Sequence, residues 1–356
     1  MNVDKRIYIE DEKFMVGGRP IWINGANTPW HKWNDFGGDY DDAWWNAHFA
    51  LCAENGMNAT RVWVNCNNDQ GAVVIDEDGM VSGVSAKHWE DLDLYFAAAA
   101  RHGIYVMATL TSFDHFKDVE RPAALRWRRM LQSDAAVDSF VAHYVVPFVQ
   151  RYKTNDYLWS IDLMNEPDWV HEEVACGNMA WEDISRYFAR AAAAIHDCSD
   201  VPVTVGMSFP KYHSDLHEGN KVGDAFLQSI YPHPGATIDF YSPHYYDWVG
   251  THYGAPYLVK PHGAPSEKGW GLTPGKPALL GECPANGSSG YTLTQDYVNA
   301  FGNGWLGVMP WTSNRVDACG GFEELQPAIN HMRDAHKALV WPHTAQAISD
   351  TNSLKK

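Results

Sequence analysis

The sequence predicts an α/β fold, a (β/α)8 barrel preceded by a short N-terminal hairpin. Three observations carry this reading. Eight apolar, strand-like runs follow one another from Ile21 onward, and most are followed by a stretch of helical periodicity. The 356 residues suit one such barrel. The polar residues that bear chemistry cluster just past the ends of the runs, where barrels of this type carry their active sites. An open doubly wound sheet is the competing topology. It is disfavoured because neither GxGxxG nor GxxxxGK[ST] follows any strand.

The elements are justified in chain order. Ile7-Tyr8-Ile9-Glu10 and Phe14-Met15-Val16 flank Asp11-Glu12-Lys13 as a hairpin. The first barrel strand is Ile21-Trp22-Ile23-Asn24-Gly25. Residues 41–55 put Trp45, His48, Phe49 and Cys52 on one helical face, closed by Gly56. A second strand spans 59–64, a helix 86–102 closed by Gly103, and a third strand 104–110. The helix at 135–152 contains Pro147, which predicts a kink. Further strands are expected at 158–164, 203–205, 239–242, 277–281 and 306–310, with helices at 181–196, 224–230 and 323–339. Residues 249–275, rich in Gly, Pro and His, read as a loop over the barrel mouth. Residues 1–345 form one catalytic domain, and 346–356 a polar C-terminal tail.

Composition excludes several function classes. There are 27 Lys and Arg against 44 Asp and Glu, a net charge of −17. That balance argues against a nucleic-acid partner and against adsorption to anionic membranes. No apolar run approaches the roughly 20 residues of a membrane span. The start of the chain has no apolar signal region, and the six scattered cysteines contain no CxxC pair, so a cytoplasmic location with reduced thiols is expected. Oligomeric state is not legible. The 16 Trp beside 17 Tyr and 14 Phe suggest a cleft that stacks on sugar rings; the plainer alternative is a Trp-rich core.

Two strand ends carry carboxylates. The fourth run ends in Met164-Asn165-Glu166-Pro167 and the seventh in Gly281-Glu282-Cys283. Side chains so placed can face one another across a barrel mouth. Glycosidic bond hydrolysis needs such a pair, one carboxyl to protonate the leaving oxygen and one to stabilise or attack the anomeric carbon.

With these residues in place, the chain resembles glycoside hydrolase family 5, the retaining (β/α)8 family of cellulases and mannanases. The matching residues are Arg61 after strand two, Asn165-Glu166-Pro167 after strand four, His244-Tyr245-Tyr246 after strand six, Glu282 after strand seven and Trp311 after strand eight. The opening from Phe14 through Asn27 resembles mannan-active members. One departure stands out: where many members carry a His just after strand three, this chain reads Thr109-Leu110-Thr111-Ser112-Phe113-Asp114-His115. The resemblance implies Glu166 as general acid/base, with a pKa raised by burial and a neighbouring negative charge. It implies Glu282 as nucleophile, kept ionised by Arg61 and the Tyr246 hydroxyl. Asn165 would meet the sugar 2-hydroxyl, His244 would orient Glu166 or the leaving group, and Trp311 would underlie the sugar whose bond is cut. The two carboxyl groups are then expected about 5–5.5 Å apart, the spacing of retaining enzymes, with Arg61 nearer Glu282.

Trp30, Trp33, Trp63, Trp169, Trp248 and Trp270 are candidates for further subsites, Trp30 and Trp248 foremost. The substrate expected is an oligosaccharide or polysaccharide, first a β-mannoside and second a β-1,4-glucan or β-glucoside. A non-catalytic carbohydrate-binding protein would use the same tryptophans without needing both carboxylates. No cofactor or metal is implied. His213 and His217 are four apart, but Pro210 and Gly219 make a supporting helix doubtful and HExxH is absent. Gly287-Ser288-Ser289-Gly290 is not the GxSxG of serine hydrolases.

Overall fold

The computed structural model describes residues 5–66 and 71–341. The expected C-terminal tail at 346–356 and the first four residues lie outside the described residues.

Six parallel strands form one curved sheet. Their order is Val203–Gly206, Leu158–Asn165, Tyr105–Thr109, Ala59–Trp63, Ile23–Asn27 and Gly307–Val308. Residues 239–244 and 277–283 close the ring through isolated bridges, Tyr241 with Ala278, His244 with Glu282 and Leu280 with Val308. Asp239 N donates to Val203 O at 2.8 Å and His244 N to Met207 O at 2.7 Å, which ties this pair to the fifth strand. Regular ladders fail here for a local reason: Pro243 and Pro277 have no N–H to donate. The architecture is therefore the expected (β/α)8 barrel.

The helices start and stop where the sequence signals them. Asp41 accepts from Trp44 N to cap Asp42–Glu54, and Ser85 accepts from His88 N to cap Ala86–His102. Gly103 then closes the second helix in the left-handed conformation. The strain expected from Pro147 is absorbed just before it. Residues Val141–Val145 widen into a π-turn between Asp134–Phe140 and Val146–Tyr152. A hairpin of Val73–Ile75 and Val81–Val84 and a helix at Pro122–Leu131 add to the predicted elements.

The N-terminal hairpin, Tyr8–Glu10 with Lys13–Val16, turns through Asp11 and Glu12, both at positive φ, and continues into Arg19–Pro20. It caps the floor of the barrel. Phe14 is fully buried, its ring edge-on to Trp159 at 5.2 Å and to Phe240 at 5.3 Å. Ile7, Tyr105, Met107, Leu279 and Met309 complete this apolar plug. The opposite end of the barrel is left for polar side chains.

The stretch at 249–275 corrects the expectation of a lid. It follows a helix start at Asp247–Tyr253 and continues through a turn at Pro256–Leu258 and a small sheet of Lys260–His262 with Gly269–Leu272. Trp270 packs against Trp305, 5.7 Å between rings, and the Trp305 indole N–H donates to Pro256 O at 3.0 Å. Trp305 precedes the last barrel strand, so the segment runs down the flank and replaces the helix between strands six and seven. Trp270 is buried in that packing and is not a sugar platform.

Candidate active site

Arg61 is the middle residue of the second barrel strand, Ala59–Trp63, and lies fully buried at the centre of the mouth. An isolated guanidinium there would be costly, and it is surrounded by acceptors. Its Nε and Nη2 donate to Asp162 Oδ2 at 2.9 and 2.7 Å, and Nη1 donates to Glu282 Oε1 at 2.7 Å. Nη2 also donates to Asn165 Oδ1 at 2.8 Å and Nη1 to Asn27 Oδ1 at 3.1 Å. Burial works against the charge, but Asp162 and Glu282 outweigh it and hold the Arg61 pKa above its ordinary value. Asp162 is fixed in turn by Gly206 N and Thr109 Oγ1.

Glu282 lies past the seventh strand. Besides Arg61, the Tyr246 hydroxyl donates to its Oε2 at 2.8 Å. Burial, with the charge of Glu166, holds its pKa above the ordinary carboxylate value, and His244, Arg61 and the Tyr246 hydrogen bond offset only part of that rise. Glu166 ends the fourth strand in the left-handed region, φ 48°, which costs a non-glycine residue about 1–3 kcal/mol and is characteristic of functional positions. Its N–H donates to Gly206 O at 2.7 Å, which holds the turn. Its Oε1 lies 2.9 Å from His244 Nδ1, and its Oε2 accepts from the Trp169 indole N–H at 2.9 Å. Burial pushes its pKa up to about 7, against the pull of Trp169 and Arg61.

The two glutamates thus sit in unequal surroundings. Glu282 has a guanidinium and a phenol; Glu166 has an indole and an imidazole. One carboxylate oxygen from each and a His244 ring nitrogen all lie within 4.8 Å of one another. Among the described residues these three form the one group with metal-ligand spacing, yet both Glu282 oxygens already accept from Arg61 and Tyr246. A cation would have to displace those donors.

The site opens into a cleft of about 510 Å³. Trp30, Trp33, Trp63 and Trp311 line one wall, with Phe113, Asp114, Lys117, Asn165, Glu166, Tyr246, Glu282 and Asp317 around the rest. The indoles brace one another edge to face, Trp30 on Trp33 at 4.6 Å and Trp63 on Trp311 at 5.2 Å. Arg61 sits 4.5 Å over the Trp63 ring. Trp248 is 45% exposed and packs on Trp169 and Phe209, one indole removed from Glu166 and beside the residues that line the cleft. Trp169 stands outside the lining but touches Glu166. His115 is turned away: its Nδ1 accepts from Ser112 N and its Nε2 lies 3.1 Å from Asn65 Nδ2, so it caps a turn.

Asp162 and Gly206 were missed in the sequence. The signal for Asp162 was a polar residue at an inward position of an otherwise apolar strand. Gly206 has no side chain because a Cβ would lie 2.7 Å from Arg61 Nη2 and 2.9 Å from His244 Nε2.

A barrel with such a carboxylate pair and a tryptophan-walled cleft is a glycoside hydrolase. The profile described as Cellulase (glycosyl hydrolase family 5) matches residues 16–316, and the chain belongs to that family. A mannan endo-1,4-beta-mannosidase of Mytilus edulis is 23% identical over 92% of this chain and 94% of its own. The crystal structure of a beta-mannanase from the same mussel superposes with a TM-score of 0.81 at 20% identity, covering 96% of this chain and 100% of that one. An endo-1,4-beta-mannanase from Eisenia fetida superposes with a TM-score of 0.79 at 22% identity, over 92% and 95%. Among the described residues no helix is long and apolar enough to cross a membrane.

Proposed function

We propose that this chain hydrolyses β-1,4-linked mannans and manno-oligosaccharides with net retention of anomeric configuration. The observation that carries the reading is the spacing and inequality of the two carboxylates. Oxygens within 4.8 Å suit direct attack by one carboxylate, whereas inverting enzymes need about 6.5–9.5 Å to admit a water. Glu282, held by Arg61 and Tyr246, attacks the anomeric carbon. Glu166, protonated near neutral pH, gives its proton to the departing oxygen. Glu166 then takes a proton from water, which attacks the same carbon and releases Glu282.

The neighbouring groups fit supporting roles. Asn165 Oδ1 is engaged by Arg61, and Nδ2 has only a 3.3 Å contact with Ser112 Oγ, so Nδ2 suits donation to a sugar 2-hydroxyl. Trp311 supplies a flat apolar face beside Glu282, and Trp30 extends it. The names of the relatives support mannan as substrate and endo cleavage as mode; the description of the family profile supports β-1,4-glucan as the second reading. The test is product analysis on mannohexaose and cellohexaose, with proton NMR of the first-formed anomer. The β-anomer of shorter manno-oligosaccharides is expected. Cleavage of cellohexaose alone, or an α-anomer, would reject the proposal.

A further inference from the structure

His244 turns its Nδ1 to two carboxylates, Glu166 Oε1 at 2.9 Å and Glu282 Oε2 at 3.5 Å. An ionised carboxylate only accepts hydrogen bonds. Nδ1 must therefore carry a hydrogen whenever either glutamate is ionised. Burial lowers the His244 pKa to about 4, so at neutral pH the ring is uncharged and holds one proton. With that proton on Nδ1, Nε2 is a lone-pair acceptor. It is fully buried and has no protein partner.

Ser242 lies two residues earlier in the chain, and its hydroxyl and the His244 ring both face Gly281. The hydroxyl is also fully buried and also without a partner. The two groups meet in space kept open by glycines. A Cβ on Gly281 would lie 2.3 Å from Ser242 Oγ and 3.2 Å from His244 Cδ2, and one on Gly206 2.9 Å from His244 Nε2. One buried group lacks a donor and the other lacks an acceptor, and each unpaired atom costs about 1–3 kcal/mol.

We propose that Ser242 is a positioning residue for the reaction: its hydroxyl donates toward His244 Nε2 through one buried water, and so fixes the imidazole as the Nδ1–H tautomer. This rests on the reading of Glu166 as general acid/base. With Nδ1–H held on Oε1, the acidic proton stands on Oε2, where Trp169 N–H occupies only one lone pair and the proton is free to move to the departing oxygen. In the opposite tautomer Nδ1 accepts from Glu166, which takes that proton away from the substrate. The titratable groups that bear on the ring are Glu166, Glu282, Arg61, Asp162 and the buried His213, and none of them hydrogen-bonds to Nε2 in this structure.

The test begins with nitrogen-15 NMR of the histidine-labelled wild-type protein at neutral pH. A protonated Nδ1 and an unprotonated Nε2 at His244 are expected; a protonated Nε2 overturns the proposal. Ser242→Ala should shift the ring toward Nε2–H and raise the basic limb of the kcat/KM profile. It should cut kcat/KM on manno-oligosaccharides about tenfold but less than about twofold on an aryl mannoside whose leaving group needs no acid. Equal losses on both substrates with an unchanged tautomer also overturn it. The wild-type spectrum decides the matter if the variant does not fold. Because that spectrum needs no turnover, it stays informative if Glu166→Ala shows that Glu166 is not the acid.

Discussion

Arg61 Nη1 lies 2.7 Å from Glu282 Oε1, while its Nη2 and Nε are both held on one oxygen of Asp162. The guanidinium is thus a rigid fork between a structural carboxylate and the proposed nucleophile. A lysine has the charge but not the fork. Arg61→Lys should lose about 10²-fold or more in kcat on manno-oligosaccharides. The acidic limb of its pH profile should move up, because Glu282 loses the donor that favours its ionised form. Steady-state kinetics across pH checks both.

Glu166→Ala and Glu282→Ala should each lose at least about 10³-fold in kcat on substrates with poor leaving groups, while their unfolding transitions stay cooperative. Azide distinguishes the roles. With an activated aryl mannoside it should rescue Glu282→Ala through the vacated face and give an inverted mannosyl azide. It should rescue Glu166→Ala by taking the place of water on the glycosyl-enzyme and give a retained one. Near-normal turnover by either variant contradicts the assignment.

The raised pKa of Glu166 makes two pH predictions. Activity depends on its proton, so kcat/KM should fall as pH rises through about 7. Stability follows from linkage. Between its ordinary value of 4.5 and about 7 the folded chain holds a proton that the unfolded chain has released, so this group favours folding less as pH rises through that window. Glu166→Gln removes the penalty. Its Tm should exceed the wild-type value at pH 8, by a stability on the order of 2 kcal/mol, and the gap should close below pH 4.5. Calorimetry at the two pH values is the check.

Gly206→Ala tests the close approach of backbone to site. Its Cβ would stand 2.7 Å from Arg61 Nη2, so the fork must move. A loss of about 10²-fold in kcat is expected, since displacements of an ångström at such sites are that costly, together with about 1–3 kcal/mol of stability lost to overpacking. Phe14→Ala separates stability from activity. Truncating a buried ring between Trp159 and Phe240 should cost about 3–5 kcal/mol of stability, read by denaturant titration, with kcat at low temperature unchanged.

Much of the fold was legible because local and global signals agree. Asp41 and Ser85 cap helices, Gly103 closes one, and each barrel strand carries a short apolar or β-branched run. The hairpin at 73–84 was not legible, since its two strands are three and four residues long and half exposed. The segment at 249–275 was misread because its pieces are too short to show a period, and Trp270 gives no sign in sequence of facing Trp305. At the site, Glu166, Glu282, His244 and Tyr246 lie at or just past strand ends, Asn165 is the last residue of its strand and Arg61 sits within its own, and the barrel brings all of them together. Asp162 and Gly206 escaped because their significance is a contact across the barrel, not a position after a strand.

The central claim is that Glu282 forms the glycosyl bond and Glu166 does not. A 2-deoxy-2-fluoro-β-mannosyl fluoride forms the glycosyl-enzyme faster than water releases it, and peptide mass spectrometry of the trapped protein locates the sugar. One 2-fluoromannosyl group on Glu282, lost when the labelled enzyme is incubated with a mannoside acceptor, is the predicted result. A label on Glu166, or complete turnover of the reagent with no labelled peptide and an α-configured product, would contradict the account.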